Sequence, residues 1–307
     1  MKQITLKQTG LDIPAIAIGC MRISGMEEKA LAEFIHYCIG EGLNFFDHAD
    51  IYGGGECETV FAKAFKQTRF KREDILLQSK CGIKPGVMFD FSKDYILQAV
   101  DGILKRLDTE YLDLLVLHRP DALVEPEEVA EAFDTLYAMG KVRRFGVSNH
   151  KPMQIELLKK YVKQPIEVNQ LQMSLPVSNM IANGLEVNML TDGAIDRDGS
   201  VLDYCRLREI TIQAWSPFQY GFFEGTYIGN QEKFPELNKT LEELSEKYQT
   251  TPTGIATAWM LRHPAKIQMV SGSTNVKRIN EMLQGSQIEL SREEWYKLYL
   301  SAGHILP

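Results

Sequence analysis

Short, mostly apolar runs alternate along this chain with longer stretches in which apolar residues return every three or four positions. The short runs lie at residues 15–19, 43–46, 75–79, 112–117, 142–147, 167–172, 210–215 and 266–270. Each is too brief for a buried helix and is bounded by polar or turn residues, so each predicts a strand covered on both faces. The longer stretches predict helices between them. Leu31, Phe34, Ile35, Cys38 and Ile39 share one helical face behind Glu27 and Glu28, and Ile96, Val100, Ile103, Leu104 and Leu107 share another. Pro126 opens and Gly140 closes a helix carrying Val129, Phe133 and Leu136. Further helices are expected around 58–65, 152–161, 201–209, 235–248, 252–262 and 276–283. A capping box from Ser291 to Glu294 starts a final one.

Two stretches break this rhythm. Residues 173–199, rich in Asn, Asp and Gly, read as an irregular insertion, and residues 216–233 as a long loop rich in aromatics. Before the first buried run, Thr9-Gly10 between two short β-type segments predicts a hairpin. Eight strand–helix units imply an α/β fold, a closed (β/α)8 TIM barrel with an N-terminal β-hairpin and extra helices, spanning 1–307 as one domain. A doubly wound open sheet would place a glycine-rich fingerprint after the first strand. The turn Gly19-Cys20-Met21-Arg22-Ile23-Ser24-Gly25 lacks that spacing.

Composition narrows the partners. With 44% hydrophobic and 24% charged residues the chain resembles an ordinary globular protein. A net charge of -7 argues against nucleic acid or an anionic membrane as the main partner. Five scattered cysteines without a C-x-x-C pair read as reduced thiols of a cytoplasmic protein. The six histidines show no ligand spacing, so no metal is expected. No heptad stands out, and a monomer is expected.

The candidate chemistry sits where strands end. Asp47 follows the apolar run 43–46, Lys80 follows 75–79, and His118 follows 112–117, while Tyr52 stands five residues beyond Asp47 ahead of three glycines. In a parallel barrel the C-terminal strand ends meet at one mouth, so consecutive strands bring these side chains together. Asp47 would keep Lys80 charged. The ammonium would favour ionisation of the Tyr52 phenol, which could pass a proton to a carbonyl oxygen as charge develops there. His118 would give that oxygen a second hydrogen bond. Taken singly, each residue has a plain structural reading as an ion pair, a satisfied histidine or loop packing.

The string Phe46-Asp47-His48-Ala49-Asp50-Ile51-Tyr52-Gly53 resembles the aldo/keto reductase family. So do Lys80, Leu117-His118, Gly146-Val147-Ser148-Asn149, Gln170, Trp215-Ser216-Pro217 and Ser271-Gly272-Ser273 with Arg278. Leu117-His118-Arg119-Pro120-Asp121 and the insertion after the sixth strand are similar to a bacterial branch of predicted oxidoreductases. The resemblance implies reduction of a small aldehyde or ketone to the alcohol, with Tyr52 as general acid tuned by Lys80 and Asp47, and His118 orienting the carbonyl. It also implies NADPH lying extended across the barrel mouth, with NADH possible. Ser148, Asn149 and Gln170 would hold the nicotinamide carboxamide. Trp215 would stack on the ring where the family usually has tyrosine, and Ser216, Pro217 and Phe218 would follow the pyrophosphate. Met21 and Arg22 on the first turn, Ser271, Gly272, Ser273 and Asn275 would be further cofactor contacts. Arg278 would read the 2′-phosphate. Asn275 stands where many members have lysine and Met282 where they have an asparagine, which weakens the NADPH preference.

For substrate the aromatic loops offer Phe89, Tyr220 and Phe222, with Met21, Phe91, Phe223 and Tyr227 as further wall candidates. They suit a small apolar or aromatic carbonyl compound. Two other functions remain open at this stage. One is a non-catalytic NADP(H)-sensing regulatory subunit, since some family members regulate channels. The other is a Schiff-base lyase using Lys80, which would require a neutral amine.

Overall fold

The computed structural model describes residues 2–222 and 224–307, so Phe223 lies outside the described residues. An antiparallel hairpin of β1 (Gln3–Leu6) and β2 (Leu11–Pro14) comes first. Then follow β3 (Ile16–Gly19), α1 (Glu28–Gly40), β4 (Phe45–Asp47), α2 (Glu56–Phe65) and β5 (Leu76–Cys81). The loop after β5 carries a small hairpin, β6 (Ile83–Lys84) with β7 (Met88–Phe89), ahead of α3 (Lys93–Leu107). The middle of the chain gives β8 (Leu114–Leu117), α4 (Pro126–Ala138), β9 (Phe145–Ser148), α5 (Pro152–Lys159) and β10 (Ile166–Gln172). The last part gives α6 (Asn179–Leu185), α7 (Val201–Leu207), β11 (Thr211–Trp215), α8 (Pro235–Tyr248) and α9 (Pro252–Leu261). It ends with β12 (Gln268–Ser271), α10 (Val276–Gly285) and α11 (Arg292–Ser301).

Strands β3, β4, β5, β8, β9, β10, β11 and β12 pair in that order, all parallel, and β12 closes on β3. This is the expected (β/α)8 barrel. Its wall is apolar because both faces are covered: every residue of β3, β8 and β9 is buried. Close strand approach is built in at Gly146, where a Cβ would lie 2.4 Å from Val168 Cγ2 of β10. The N-terminal hairpin lies across the bottom of the barrel. Gln8 Nε2 donates to the Ile166 carbonyl (2.8 Å) and Thr9 Oγ1 to Glu167 Oε2 (2.8 Å), both at the start of β10.

The helices begin and end where their caps dictate. The apolar face of α3 is buried as the spacing predicts, and Asp108 ends it in a left-handed conformation. Ser291 and Glu294 close the capping box that starts α11.

Two local elements differ from the sequence reading. The insertion contains α6, whose Met180, Ile181 and Ala182 are buried; this brief apolar triplet is masked in sequence by polar neighbours. The β6–β7 hairpin, with two residues per strand, is too short to leave a periodic signal. No described helix is long and apolar enough to cross a membrane.

Candidate active site

Asp47 is the last residue of β4, Lys80 the last but one of β5, and His118 follows β8 directly. Tyr52 opens a 3₁₀ turn, Tyr52–Gly55, in which all three glycines have positive φ, a conformation costly for other residues. The turn brings the phenol back over the mouth, and its ring meets that of His118 edge-on, centroids 6.0 Å apart.

Lys80 is wholly buried and donates to Asp47 Oδ1 at 2.5 Å and to the His48 carbonyl at 2.8 Å. Burial alone would push the ammonium pKa down, but the Asp47 carboxylate, through its charge and its hydrogen bond, outweighs it and the net direction is up. Lys80 is therefore a charged, fixed group. Its nitrogen lies 5.0 Å from the centroid of the Tyr52 ring. Lys80 pulls the phenol toward ionisation as the sequence implied, yet the phenol's pKa is raised overall, because burial dominates. Tyr52 thus holds its proton at neutral pH. Burial, followed by the charges of Lys80 and Arg119, pushes the His118 pKa well down, so the imidazole is neutral; its Nδ1 is buried without a partner. His48 is turned away from the mouth, buried edge-on against Phe61, and His150 stacks on Phe91.

These groups open onto a cavity of about 650 Å³, a size usual for small-molecule and cofactor sites. Asp47, Tyr52 and His118 line it at one end, together with Ser148, Asn149 and Gln170. Lys80 stands behind them rather than in the lining. Trp215, Ser216, Pro217 and Phe218, at and after the end of β11, and Met21 and Arg22, after β3, also line it. Ser271, Gly272, Ser273 and Arg278 line the far end.

Trp215 is held by its edge. Its Nε1 donates to Asn149 Oδ1 (3.2 Å), and Asn149 Nδ2 donates to Ser148 Oγ (2.7 Å), which donates to the Gln170 carbonyl (3.0 Å). Asn149 and Ser216 both take positive φ, favoured for neither but tolerated best by asparagine. At the far end Arg278 is exposed and has no acid partner among the described residues.

Several expected residues lie elsewhere. Phe89 is on the exposed β7, 44% accessible, because the small hairpin points it to solvent. Tyr220 packs on Phe234 and Lys233 instead of facing the cavity. Phe91 and Tyr227 are core residues. Of the predicted substrate wall only Phe222 and Met21, among the described residues, line the cavity, and Phe222 sits edge-on to Trp215 at 6.2 Å. Asn275 is occupied as the N-cap of α10, its Oδ1 accepting from the Lys277 and Arg278 amides. Met282 is buried on the inner side of α10, away from the cavity lining.

Sequence reading missed Arg119, which lines the cavity beside His118, half-buried, with no acid partner among the described residues. Its guanidinium lies 5.9 Å from the Trp215 ring centroid. Asp121, the acid nearest in sequence, is occupied by the Phe91 and Leu123 amides. A charged residue directly after a strand-end histidine was the available signal.

Known proteins are similar to this chain. The profile of the Aldo/keto reductase family matches residues 15–299. An uncharacterized oxidoreductase of Bacillus subtilis, YcsN, is 32% identical over the whole of both chains. A 6-dehydroglucose reductase of Agrobacterium fabrum is 30% identical over 98% of each. Among solved structures, the thermostable aldo-keto reductase Tm1743, in complex with the inhibitor epalrestat, superposes with a TM-score of 0.77 at 28% identity, covering 98% of this chain and 100% of its own. With the barrel and the Asp47–Lys80 pair beside Tyr52 and His118 already in place, the chain belongs to the aldo/keto reductase family and is an NAD(P)H-dependent carbonyl oxidoreductase.

Proposed function

We propose that the protein reduces small aldehydes or ketones with NADPH, using Tyr52 as the general acid. The observation that carries this reading is the Tyr52 phenol set against the His118 ring and the buried Lys80, which is ion-paired with Asp47, in the lining of a cavity of about 650 Å³.

The lining fits the cofactor by its chemistry. The Trp215 indole offers a flat π surface already fixed at its edge by Asn149. Ser148, Asn149 and Gln170 provide the hydroxyl and amides that match a carboxamide's donor and acceptor. Arg278, without an acid partner among the described residues, is a guanidinium suited to fork-like binding of a 2′-phosphate, beside the turn Ser271-Gly272-Ser273. A reduced nicotinamide held there supplies the hydride. The protein's own part is to hold the carbonyl oxygen between Tyr52 and His118 and to deliver the Tyr52 hydroxyl proton to it. Lys80, charged throughout, stabilises the phenolate left behind.

The substrate reading starts from relatives. Two of them, from Agrobacterium fabrum and Novosphingobium aromaticivorans, are named 6-dehydroglucose reductase, which makes aldehyde sugars a rational first choice alongside simple aldehydes. Phe222 and Met21 give an apolar side to the mouth and Arg119 a cationic one. The lyase alternative needs a neutral amine, and the raised Lys80 pKa speaks against it. A non-catalytic sensing role would leave the intact Asp47–Lys80–Tyr52–His118 set unused.

The test is direct. Purified protein with NADPH and a panel of aldehydes, ketones and aldehyde sugars should consume the reduced-nicotinamide absorbance with at least one of them. Tight NADPH binding without turnover across the panel would favour the sensing role. Absence of binding to either NADPH or NADH would sink the proposal.

A further inference from the structure

TIM-barrel interiors are usually filled by branched apolar side chains in layers. Part of this one is filled by amides. Gln78 of β5, Gln170 of β10, Gln213 of β11 and Gln268 of β12 are all buried, three of them with no exposure at all. They form one hydrogen-bonded column. Gln268 Nε2 donates to the Pro14 carbonyl (2.8 Å), at the bottom of the barrel. Gln213 Nε2 donates to Gln268 Oε1 (2.8 Å) and to Gln78 Oε1 (2.9 Å). Gln78 Nε2 donates back to Gln213 Oε1 (3.0 Å) and onward to Asp47 Oδ1 (2.5 Å). Gln170 Nε2 joins at the same two acceptors, Gln213 Oε1 (3.2 Å) and Asp47 Oδ1 (3.1 Å).

The column has a fixed polarity. A proline carbonyl stands at one end and an ion-paired carboxylate at the other, and both only accept. Every amide between them is therefore oriented: turning one over would set oxygen against oxygen and N–H against N–H. Two consequences reach the mouth. Asp47 Oδ1 receives two amide donors besides Lys80, which aims the carboxylate at the ammonium. Both amide protons of Gln170 are committed below, which leaves its Oε1 as the free atom of a side chain that lines the cavity.

We propose that Gln78 and Gln213 are positioning residues for the reaction, although neither lines the cavity. Gln78 holds Asp47 against Lys80, and Gln213 locks Gln170 so that it presents an acceptor to the nicotinamide carboxamide. This rests on the cofactor placement given above. Because a buried network is stable when complete and costly when one member is lost, truncating either glutamine should be felt at its far partners.

The test uses the full-length protein and two ligands, NADPH and 2′-phospho-ADP-ribose, which shares the adenosine end but lacks the nicotinamide. In Gln213→Met, NADPH affinity by calorimetry should fall about tenfold, the worth of roughly one hydrogen bond, with the phospho-ADP-ribose affinity unchanged. In Gln78→Met, kcat should fall about tenfold, again with unchanged phospho-ADP-ribose binding. A general loss of structure would weaken both ligands together. If Gln213→Met does not fold, Gln268→Met, one step further from the mouth, should show the same selective loss to a smaller degree. Folded variants that match wild type in NADPH affinity and kcat, or that weaken both ligands equally, would overturn the inference. Failure of wild type to bind NADPH would instead overturn the cofactor placement on which it rests.

Discussion

The two ends of the cavity are built on opposite principles. At the reaction end, Asp47, Lys80, Tyr52 and His118 are held by strand ends, a glycine turn and side-chain hydrogen bonds, with Lys80 entirely out of solvent. At the other end, Arg278 is exposed on the first turn of α10, and its neighbour Asn275 does no more than cap that helix. A proton donor must be fixed to well under an ångström relative to its target, whereas a phosphate accepts donors from many directions. The reaction end is thus a feature of the core, and the phosphate end a feature of one surface helix. Substitutions should therefore cost folding and chemistry together at the first, and only cofactor choice at the second.

Lys80→Met tests the first half most severely. Removing one partner of a buried ion pair leaves Asp47 uncompensated, so urea unfolding should show a loss of about 3–5 kcal/mol, with activity all but abolished. A variant as stable as wild type would mean the pair is not part of the core's support. Arg278→Ala tests the second half. It should raise the Kd for NADPH about tenfold while leaving NADH and the unfolding midpoint unchanged, as expected for one lost charge-assisted contact. Equal weakening of both cofactors would show that Arg278 does not read the 2′-phosphate.

A smaller effect concerns Asp50, just behind the reaction end. Burial, then the nearby Glu58 carboxyl, raises its pKa from 3.8 to about 7, and one of its oxygens has no partner. Between pH 4 and 7 the folded state therefore holds a proton that the unfolded state has released, so this group makes stability fall as pH rises through that window. Asp50→Asn should flatten the decline and leave the protein more stable than wild type at pH 8, by roughly 1–3 kcal/mol after allowing for relaxation. Parallel stability–pH curves for the two proteins would show that Asp50 is not held protonated.

The same contrast explains what could be read in the sequence. Asp47, Lys80 and His118 were legible because a polar residue at the end of an apolar run has few places to go in a parallel barrel. Gln78, Gln213 and Gln268 were equally visible as polar residues inside buried strands, and Gln78 stands two positions before Lys80, hence on the same face. Their partners, however, come from strands far apart in sequence, and only the barrel reveals the column. Phe89 and Tyr220 illustrate the opposite case. Where an aromatic on a long loop points depends on tertiary packing, here on a hairpin with two residues per strand and on Phe234, which carries no local signature. The positive φ of Asn149 and Ser216, which sets the Trp215 wall, was likewise silent in sequence.

The central claim is that the Tyr52 hydroxyl gives the proton and does nothing else essential. The measurement that addresses it is kcat and NADPH affinity together for Tyr52→Phe, using whichever carbonyl substrate the panel yields. The account predicts a fall in kcat of about 10²-fold or more, as for loss of a general acid, with NADPH affinity within about twofold of wild type. A variant that keeps most of its kcat would contradict the assignment of Tyr52 as the acid.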